Sequence, residues 1–307
     1  MKRKKIILGS RGSKLALIYA ERVKSQLIKV FDYLNDQNVE LKIIKTTGDI
    51  NQKDRLSDIG GKGLFSKQIE NELKEEKIDI GVHALKDMPS LETEGLITNC
   101  FLERNDPREV LISYNNKLFK DLNSGAIVGT SSYRREFQLK HIRNDLNFKL
   151  IRGNVDTRLK KLNDKLFDAI ILSYAGIKSL NLDKNITQIF PIKEILPSVG
   201  QGTVALQRRI DDLKIEKLLN KINHKKTYLC SITEREFLKT LGGDCETAVG
   251  ALADLKNNKI KLQAELFSLD GKKKYYYEAD KDMNFGIELG KEVGNILIKD
   301  SKGLYKL

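Results

Sequence analysis

The stretch Asp79-Ile80-Gly81-Val82-His83-Ala84-Leu85-Lys86-Asp87-Met88-Pro89 decides how this chain is read. Ile78, Ile80 and Val82 alternate with Asp79 and Gly81, the period of a short strand. Pro89 has no amide donor and pushes Met88 toward extended backbone, so regular structure stops there. Lys86 and Asp87 are therefore expected on a loop just past the carboxyl end of a strand. In open α/β sheets that edge is where ligands bind. A Lys-Asp pair is also what an ordinary solvated loop carries, so the rest of the chain must separate the two readings.

Upstream, Lys5 to Leu8 reads as a first strand. Gly9-Ser10-Arg11-Gly12-Ser13 then feeds a helix in which Leu15, Tyr19, Val23, Leu27 and Phe31 recur every fourth residue. A Gly/Ser loop at a helix N-terminus attracts anions, because free N–H groups and the helix dipole both point at it. Arg11 and Ser13 sit on that lip, and Ser13 is equally a plain N-cap. Glu40 to Lys45 alternates as a second strand. Gly60-Gly61-Lys62-Gly63-Leu64-Phe65 reads as a mobile, glycine-rich loop able to approach a ligand closely. It lacks the Gly-Lys-Ser/Thr end of a P-loop, so no nucleotide is expected. A helix from Phe65 to Glu75 and the strand ending at His83 complete a βαβαβ run, which implies a mostly parallel sheet.

Downstream, the polar run Glu103 to Arg108 reads as a linker into a second α/β unit. Strands are expected at Ala126 to Gly129, Phe148 to Ile151 and Ala169 to Leu172. Thr130-Ser131-Ser132 caps a helix carrying Arg134 and Arg135, and Arg152-Gly153-Asn154 opens one carrying Arg158. Arg134, Arg135, Arg143, Arg152 and Arg158 crowd one stretch. Arginine's planar fork suits carboxylate or phosphate, and placement at strand–helix junctions favours convergence on one crevice over outward helix faces.

Leu196 to Gly202 is a second linker, and Thr203 to Leu206 a strand returning to the first sheet. Two crossings make an α/β fold of two hinged lobes like the periplasmic binding proteins. A small α+β domain closes the chain, with a helix over Tyr228 to Thr240, strands at Val249 to Ala253 and Lys259 to Phe267, a turn at Asn257-Asn258, and a helix from Phe285 to Ile298. Residues 1–102 with 203–220 form the first lobe, 107–196 the second, and 225–307 the third domain.

Composition narrows the function. The 307 residues are 40% hydrophobic and 32% charged, enough for a sizeable core. No apolar run is long enough for a membrane span, and Lys2 to Lys5 is followed by too short an apolar run for an export signal. Cys100, Cys230 and Cys245 are few and far apart, which points to a reducing, cytoplasmic setting and away from disulfides or structural zinc. The net charge of +13 suits a polyanionic partner. A nucleic-acid module would bring stacking aromatics, and these are only 7% of the chain, with no tryptophan. A clamshell solute-binding protein shares the fold but normally carries an export signal.

Six motifs in colinear order carry a resemblance: Gly-Gly-Lys-Gly-Leu-Phe (Gly60 to Phe65), His-Ala-Leu-Lys-Asp-Met-Pro (His83 to Pro89), Asp-Pro-Arg (Asp106 to Arg108), Gly-Thr-Ser-Ser-Tyr-Arg-Arg (Gly129 to Arg135), Arg-Gly-Asn-Val-Asp-Thr-Arg-Leu (Arg152 to Leu159) and Val-Gly-Gln-Gly (Val199 to Gly202). A Gly-Gly-Asp-Cys turn ends the set at Cys245. Together they resemble the hydroxymethylbilane synthases, or porphobilinogen deaminases, over essentially the whole chain. That resemblance implies a monomeric enzyme that joins four porphobilinogens head to tail with loss of ammonia. It needs no metal, nucleic acid or membrane.

The resemblance also implies a dipyrromethane cofactor, thioether-linked to Cys245 and contacted by Ser13, Lys86, Asp87, Thr130, Ser131, Ser132, Arg134, Arg135, Gly153 and Arg158. Substrate would meet Arg11, Ser13, Phe65, Arg152, Arg158 and Gln201. Gly60, Gly61, Lys62 and Gly63 would form a lid, and Asp87 would be the catalytic carboxylate. Departures from the family pattern are Asp244 and Ala248, where relatives usually carry glycine and proline around the cysteine, and Ala84, where they often carry serine. A carboxylate beside the Cys245 thiol should raise its pKa and slow cofactor attachment. Ala84 removes one hydroxyl donor.

Overall fold

The computed structural model describes residues 5–50, 63–243 and 247–306. The first lobe contains β1 (Ile6–Arg11), α1 (Lys14–Val30), β2 (Val39–Ile44), a single turn α2 (Thr47–Ile50), α3 (Lys67–Lys74), β3 (Ile80–Ala84), a 3₁₀ turn over Leu85–Asp87, and β4 (Leu96–Phe101). The second holds β5 (Glu109–Ser113), β6 (Ile127–Gly129), α4 (Tyr133–Ile142), β7 (Asn147–Lys149), α5 (Val155–Asn163), β8 (Ala169–Ser173), α6 (Tyr174–Ser179) and β9 (Gln188–Ile189). The chain then returns through β10 (Val204–Arg209) and α7 (Leu213–Ile222). The third unit has α8 (Lys225–Leu241), β11 (Val249–Lys256), β12 (Lys259–Phe267), β13 (Lys274–Asp282) and α9 (Gly286–Ser301).

Local chemistry explains the elements that bear on the cleft. Ser13 Oγ accepts from Ala16 N at 3.3 Å and starts α1, and Tyr19, Ala20, Val23 and Leu27 bury its apolar stripe. That stripe packs with Leu8, Ile80, Val82 and Val204 of the sheet. Asn257 and Asn258 both take positive φ, at 52° and 60°, as a tight two-residue hairpin turn between β11 and β12 requires.

The sheet orders are β2-β1-β3-β10-β4 and β7-β6-β8-β5-β9, so the two lobes repeat one plan. A mostly parallel sheet was expected, and each is in fact mixed. β1, β2 and β3 run parallel, as do β6, β7 and β8. β10 is antiparallel to β3 and β4, and β5 to β8 and β9. The reason is topological: β5 and β10 are the strands that have just crossed between lobes, and each enters its sheet from the linker side. β4, β5, β9 and β13 are absent from the sequence reading. The first two flank the charged segment Glu103 to Arg108, and β13 alternates half-buried and exposed residues rather than apolar and polar ones.

Both crossings are pinned by α8. Arg104, in the first linker, forms a two-pronged ion pair with Glu234 of α8, at 2.5 and 3.3 Å, and donates from Nε to Gln201 O in the second linker. Glu234, 0% exposed, also accepts from Gly200 N and Ala253 N. Removing one partner of a buried pair strands the other charge and costs about 3–5 kcal/mol. Arg104→Leu should therefore destabilise the protein by about that much in urea unfolding, and a loss below about 1 kcal/mol would show that the pair is not structural.

Candidate active site

The carboxyl ends of the parallel strands in both lobes face one cleft of about 320 Å³. From the first lobe it is lined by Arg11 at the end of β1, Lys86 and Asp87 in the turn after β3, Phe65 and Gly48. From the second come Ser131, Ser132, Arg134 and Arg135 around the start of α4, and Arg152, Gly153, Asn154 and Arg158 around the start of α5. Ser198, Val199 and Gln201 of the returning linker close the back, and Leu238, Thr247 and Val249 of the third domain the remaining side. A recess of about 50 Å³ beside Asp87 is lined by Arg11, Ser13, Tyr19, Phe65, His83 and Ala84 among others.

Asp87 ends the 3₁₀ turn, with Arg11 Nη1 3.6 Å from its Oδ2. The Arg11 guanidinium stacks over the Phe65 ring at 3.9 Å. Lys86 Nζ donates to Gln201 Oε1 at 3.2 Å, and Gln201 Nε2 donates to Pro107 O, so this glutamine ties Lys86 to both linkers. Burial, reinforced by Arg135, lowers the Lys86 ammonium to about 8, despite the opposing pull of Asp87 and Glu109.

Arg134 and Arg135 share one buried carboxylate. Arg134 Nη2 lies 2.6 Å from Glu109 Oε1, and Arg135 Nη2 lies 2.8 Å from Glu109 Oε2. Arg134 also donates to Leu196 O, and Arg135 to Ile171 O. Burial alone would raise the Glu109 carboxyl, but Arg135 and Arg134 outweigh it and hold it down at about 2. Arg135 Nε is buried with no hydrogen-bond acceptor among the described residues. Arg158 donates from Nε to Gly153 O, and burial, with Arg135 and Arg152 nearby, lowers it to about 10. Gly153 has φ +111°, and a Cβ there would sit 2.7 Å from Thr157, so only glycine fits.

Not every predicted residue reaches the cleft. Arg143 caps the far end of α4, pairs with Asp145 and donates to the carbonyls of Phe119, Lys120 and Leu122. It is a structural clasp. Thr130 is buried and accepts from Ser132 N rather than lining the cleft. Ser13 lines only the recess. Gly63 takes φ +76°. Gly60, Gly61, Lys62, Asp244 and Cys245 lie outside the described residues. Glu109 is absent from the sequence reading, and Tyr133 and Asn154, which line the cleft, occur there only inside motifs and not as site residues. Glu109 directly follows Asp106-Pro107-Arg108, and a carboxylate opening an apolar run was the available signal.

The cleft thus gathers Arg11, Lys86, Arg134, Arg135, Arg152 and Arg158 around Asp87, with Glu109 behind two of the arginines. A surplus of cations in one crevice suits a ligand carrying several carboxylates or phosphates. Asp87 is the one carboxylate of the described cleft lining, placed to meet a positive centre.

Comparison with known proteins agrees with this chemistry. A family model described as porphobilinogen deaminase, dipyromethane cofactor binding domain, matches residues 6–217, and one described as its C-terminal domain matches residues 228–299. The chain is 44% identical over 292 residues to the porphobilinogen deaminase of Syntrophomonas wolfei, covering 95% of this chain and 94% of that protein. It is 41% identical over 298 residues to that of Chlorobium chlorochromatii, covering 97% and 94%. A distant likeness to the probable amino-acid ABC transporter extracellular-binding protein YtmK of Bacillus subtilis has 14% identity, covers 74% of this chain and 95% of that one, and has a TM-score of 0.42. The two mixed sheets of matching strand order define the two-lobed α/β fold. Two family models spanning nearly the whole chain, and relatives sharing over two-fifths of its residues, place this chain in the porphobilinogen deaminase family.

Proposed function

We propose that Asp87 is the catalytic carboxylate of this porphobilinogen deaminase and that the surrounding cations hold the acetate and propionate arms of its pyrroles. The enzyme polymerises porphobilinogen in tetrapyrrole biosynthesis and uses a dipyrromethane cofactor. The observation that carries the residue assignments is one carboxylate among six cations in the cleft lining of the described residues.

The residues present fit the cofactor. Its two pyrroles carry four carboxylates, and Arg134, Arg135, Arg158 and Lys86 offer more positive charge than Glu109 neutralises. The unmatched Arg135 Nε is a donor in want of an acceptor. When bound, the dipyrromethane supplies a nucleophilic pyrrole carbon. Leu238, Thr247 and Val249, which bracket Cys245 in sequence, line the same cleft and support that cysteine as the attachment point. Cys100 and Cys230 are buried, and burial pushes both thiols up to about 12, which makes them poor nucleophiles.

Substrate carboxylates meet Arg11, Arg152 and Arg158, with Phe65 against the ring. The amino group of the aminomethyl arm leaves as ammonia with the C–N bond pair, and its methylene carbon stays on the ring. The pyrrole nitrogen's electrons close the methylene-pyrrolenine cation. Asp87 stabilises that cation through the pyrrole N–H, passes a proton to the leaving amine, and takes one back from the ring carbon after the new bond forms. Proton count is conserved over each addition. Water ends the sequence and releases the linear product.

No described helix is long and apolar enough to cross a membrane. The enzyme is taken to work as a monomer in a reducing cytoplasm without a nucleic-acid partner, in keeping with its sparse cysteines and aromatics. The test is purified protein with porphobilinogen as sole substrate. One ammonia per porphobilinogen consumed and a linear tetrapyrrole are expected, and no ammonia release overturns the reading.

Lys86 gives a pH signature. Its lowered pKa means the cation is full below about 8 and lost above it. Cofactor assembly on apoprotein should therefore slow as pH rises through about 8, since one carboxylate partner disappears. Lys86→Arg, charged throughout, should flatten that limb. Intact-mass time courses check both, and assembly that is equally fast on either side of pH 8 refutes the role.

A further inference from the structure

α8 presents two faces with different tasks. Cys230, Phe237, Leu238 and Leu241 point into the core of the third domain. Tyr228, Ile232 and Arg235, spaced four and three residues apart, meet the segment that carries Asp87. Tyr228 and Ile232 pack on the cluster of Leu85, Met88, Phe101 and Ala205, two of whose members flank Lys86 and Asp87. Arg235 Nη1 donates to Pro89 O at 3.2 Å, and Nη2 pairs with Glu92 Oε1 at 2.9 Å. Thr98 Oγ1 of β4 donates to the other Glu92 oxygen at 3.0 Å, so the clamp is anchored back onto the sheet.

The Asp87 turn is thus held at both ends by elements outside it. Upstream, Leu85 N donates to Thr203 O of the returning linker. Downstream, Arg235 grips the carbonyl two residues past Asp87. Asp87 itself has only the long 3.6 Å approach of Arg11 as an ion pair among the described residues, so backbone placement sets where its carboxylate stands. α8 continues to Gly242, which closes it in the left-handed region, and the segment carrying Cys245 follows directly.

We infer that Arg235 is a positioning residue, fixing the Asp87 turn against α8 of the third domain. This rests on the reading of Asp87 as the catalytic carboxylate. The turn it holds also carries Lys86, which grips the cofactor and not the substrate arms, so with cofactor content matched the clamp should act on turnover and not on substrate binding. Small displacement at a reacting centre is costly, up to about 100-fold for 1 Å.

The experiment compares holoenzymes of Arg235→Ala, Arg235→Lys, Glu92→Gln and Asp87→Asn, with cofactor content checked by mass and assays run well below each melting temperature. Arg235→Ala should lower kcat by about 10- to 100-fold with KM within about threefold. Arg235→Lys keeps one donor and should recover part of the loss, and Glu92→Gln should lose less than Arg235→Ala. Should Arg235→Ala not fold, Arg235→Lys and Glu92→Gln must still show lowered kcat at unchanged KM. Wild-type kcat in Arg235→Ala, a loss expressed in KM, or Arg235→Lys no better than alanine overturns the inference. If Asp87→Asn is slow while the Arg235 variants are normal, only the positioning role fails. If Asp87→Asn turns over normally, the catalytic reading itself fails.

Discussion

Asp87→Asn is expected to fold and bind substrate but to turn over at least about 10²–10⁴-fold more slowly than the native enzyme. Asparagine is nearly isosteric and still accepts a hydrogen bond through its amide oxygen. It carries no negative charge and exchanges no proton near neutral pH. Loss of preorganised electrostatic stabilisation adds to the loss of proton transfer. Asp87→Glu keeps the charge but moves it by one methylene, so it should retain intermediate activity. The order native, Glu, Asn in kcat is the signature of a charge role. A structural Asp87 would tolerate Asn about as well as Glu, with losses that follow thermal stability. Single-turnover ammonia release on holoenzymes of matched melting temperature separates the cases. The turn geometry favours the charge role, since Asp87 lines the cleft and is its lone described carboxylate.

Cys245→Ser is expected to abolish activity altogether while leaving a folded protein. Serine is a far weaker nucleophile than a thiolate and should not acquire the thioether-linked dipyrromethane. The intact mass of native protein should exceed the sequence mass by two porphobilinogens less two ammonias, and the variant should lack that increment. An adduct mapped to Cys100 or Cys230 would refute the assignment. The variant should also melt at a lower temperature than native holoenzyme. Lys86 and Arg158 are buried in the cleft and donate to a glutamine oxygen and a backbone carbonyl among the described residues, and a carboxylate ligand seen only by the folded state shifts the folding equilibrium. Equal melting temperatures would count against this. Asp244, next to the cysteine in sequence, is expected to alter the rate of attachment and not the need for it.

Much of this protein is legible in local sequence. The alternation of Ile78, Ile80 and Val82 and the break at Pro89 place Lys86 and Asp87 at a strand's carboxyl end, where the cleft lies. Ser13 and Ser132 cap α1 and α4, because a side-chain oxygen can satisfy a free helical N–H with no help from the rest of the fold. Arg134, Arg135, Arg152 and Arg158 follow from the same rule: a short polar cap after a strand puts the first helical turn at the sheet edge. Colinear motifs over essentially the whole chain then carry the resemblance to the family.

Tertiary structure decided the rest, for reasons of long-range pairing. Strand direction in each sheet depends on which side a crossing enters from, and no local pattern encodes that. Arg134 and Arg143 look alike in sequence, yet one faces the cleft and the other clasps a loop on the opposite end of the same helix. Glu109 becomes important only because two arginines from another element close on it. The same holds for Glu234 and Arg235, adjacent in sequence on one helix. One pins the linkers and the other the Asp87 turn, because side chains one residue apart project about 100° apart around α8. Which neighbour each meets is set by packing among three units, and sequence spacing carries no information about that.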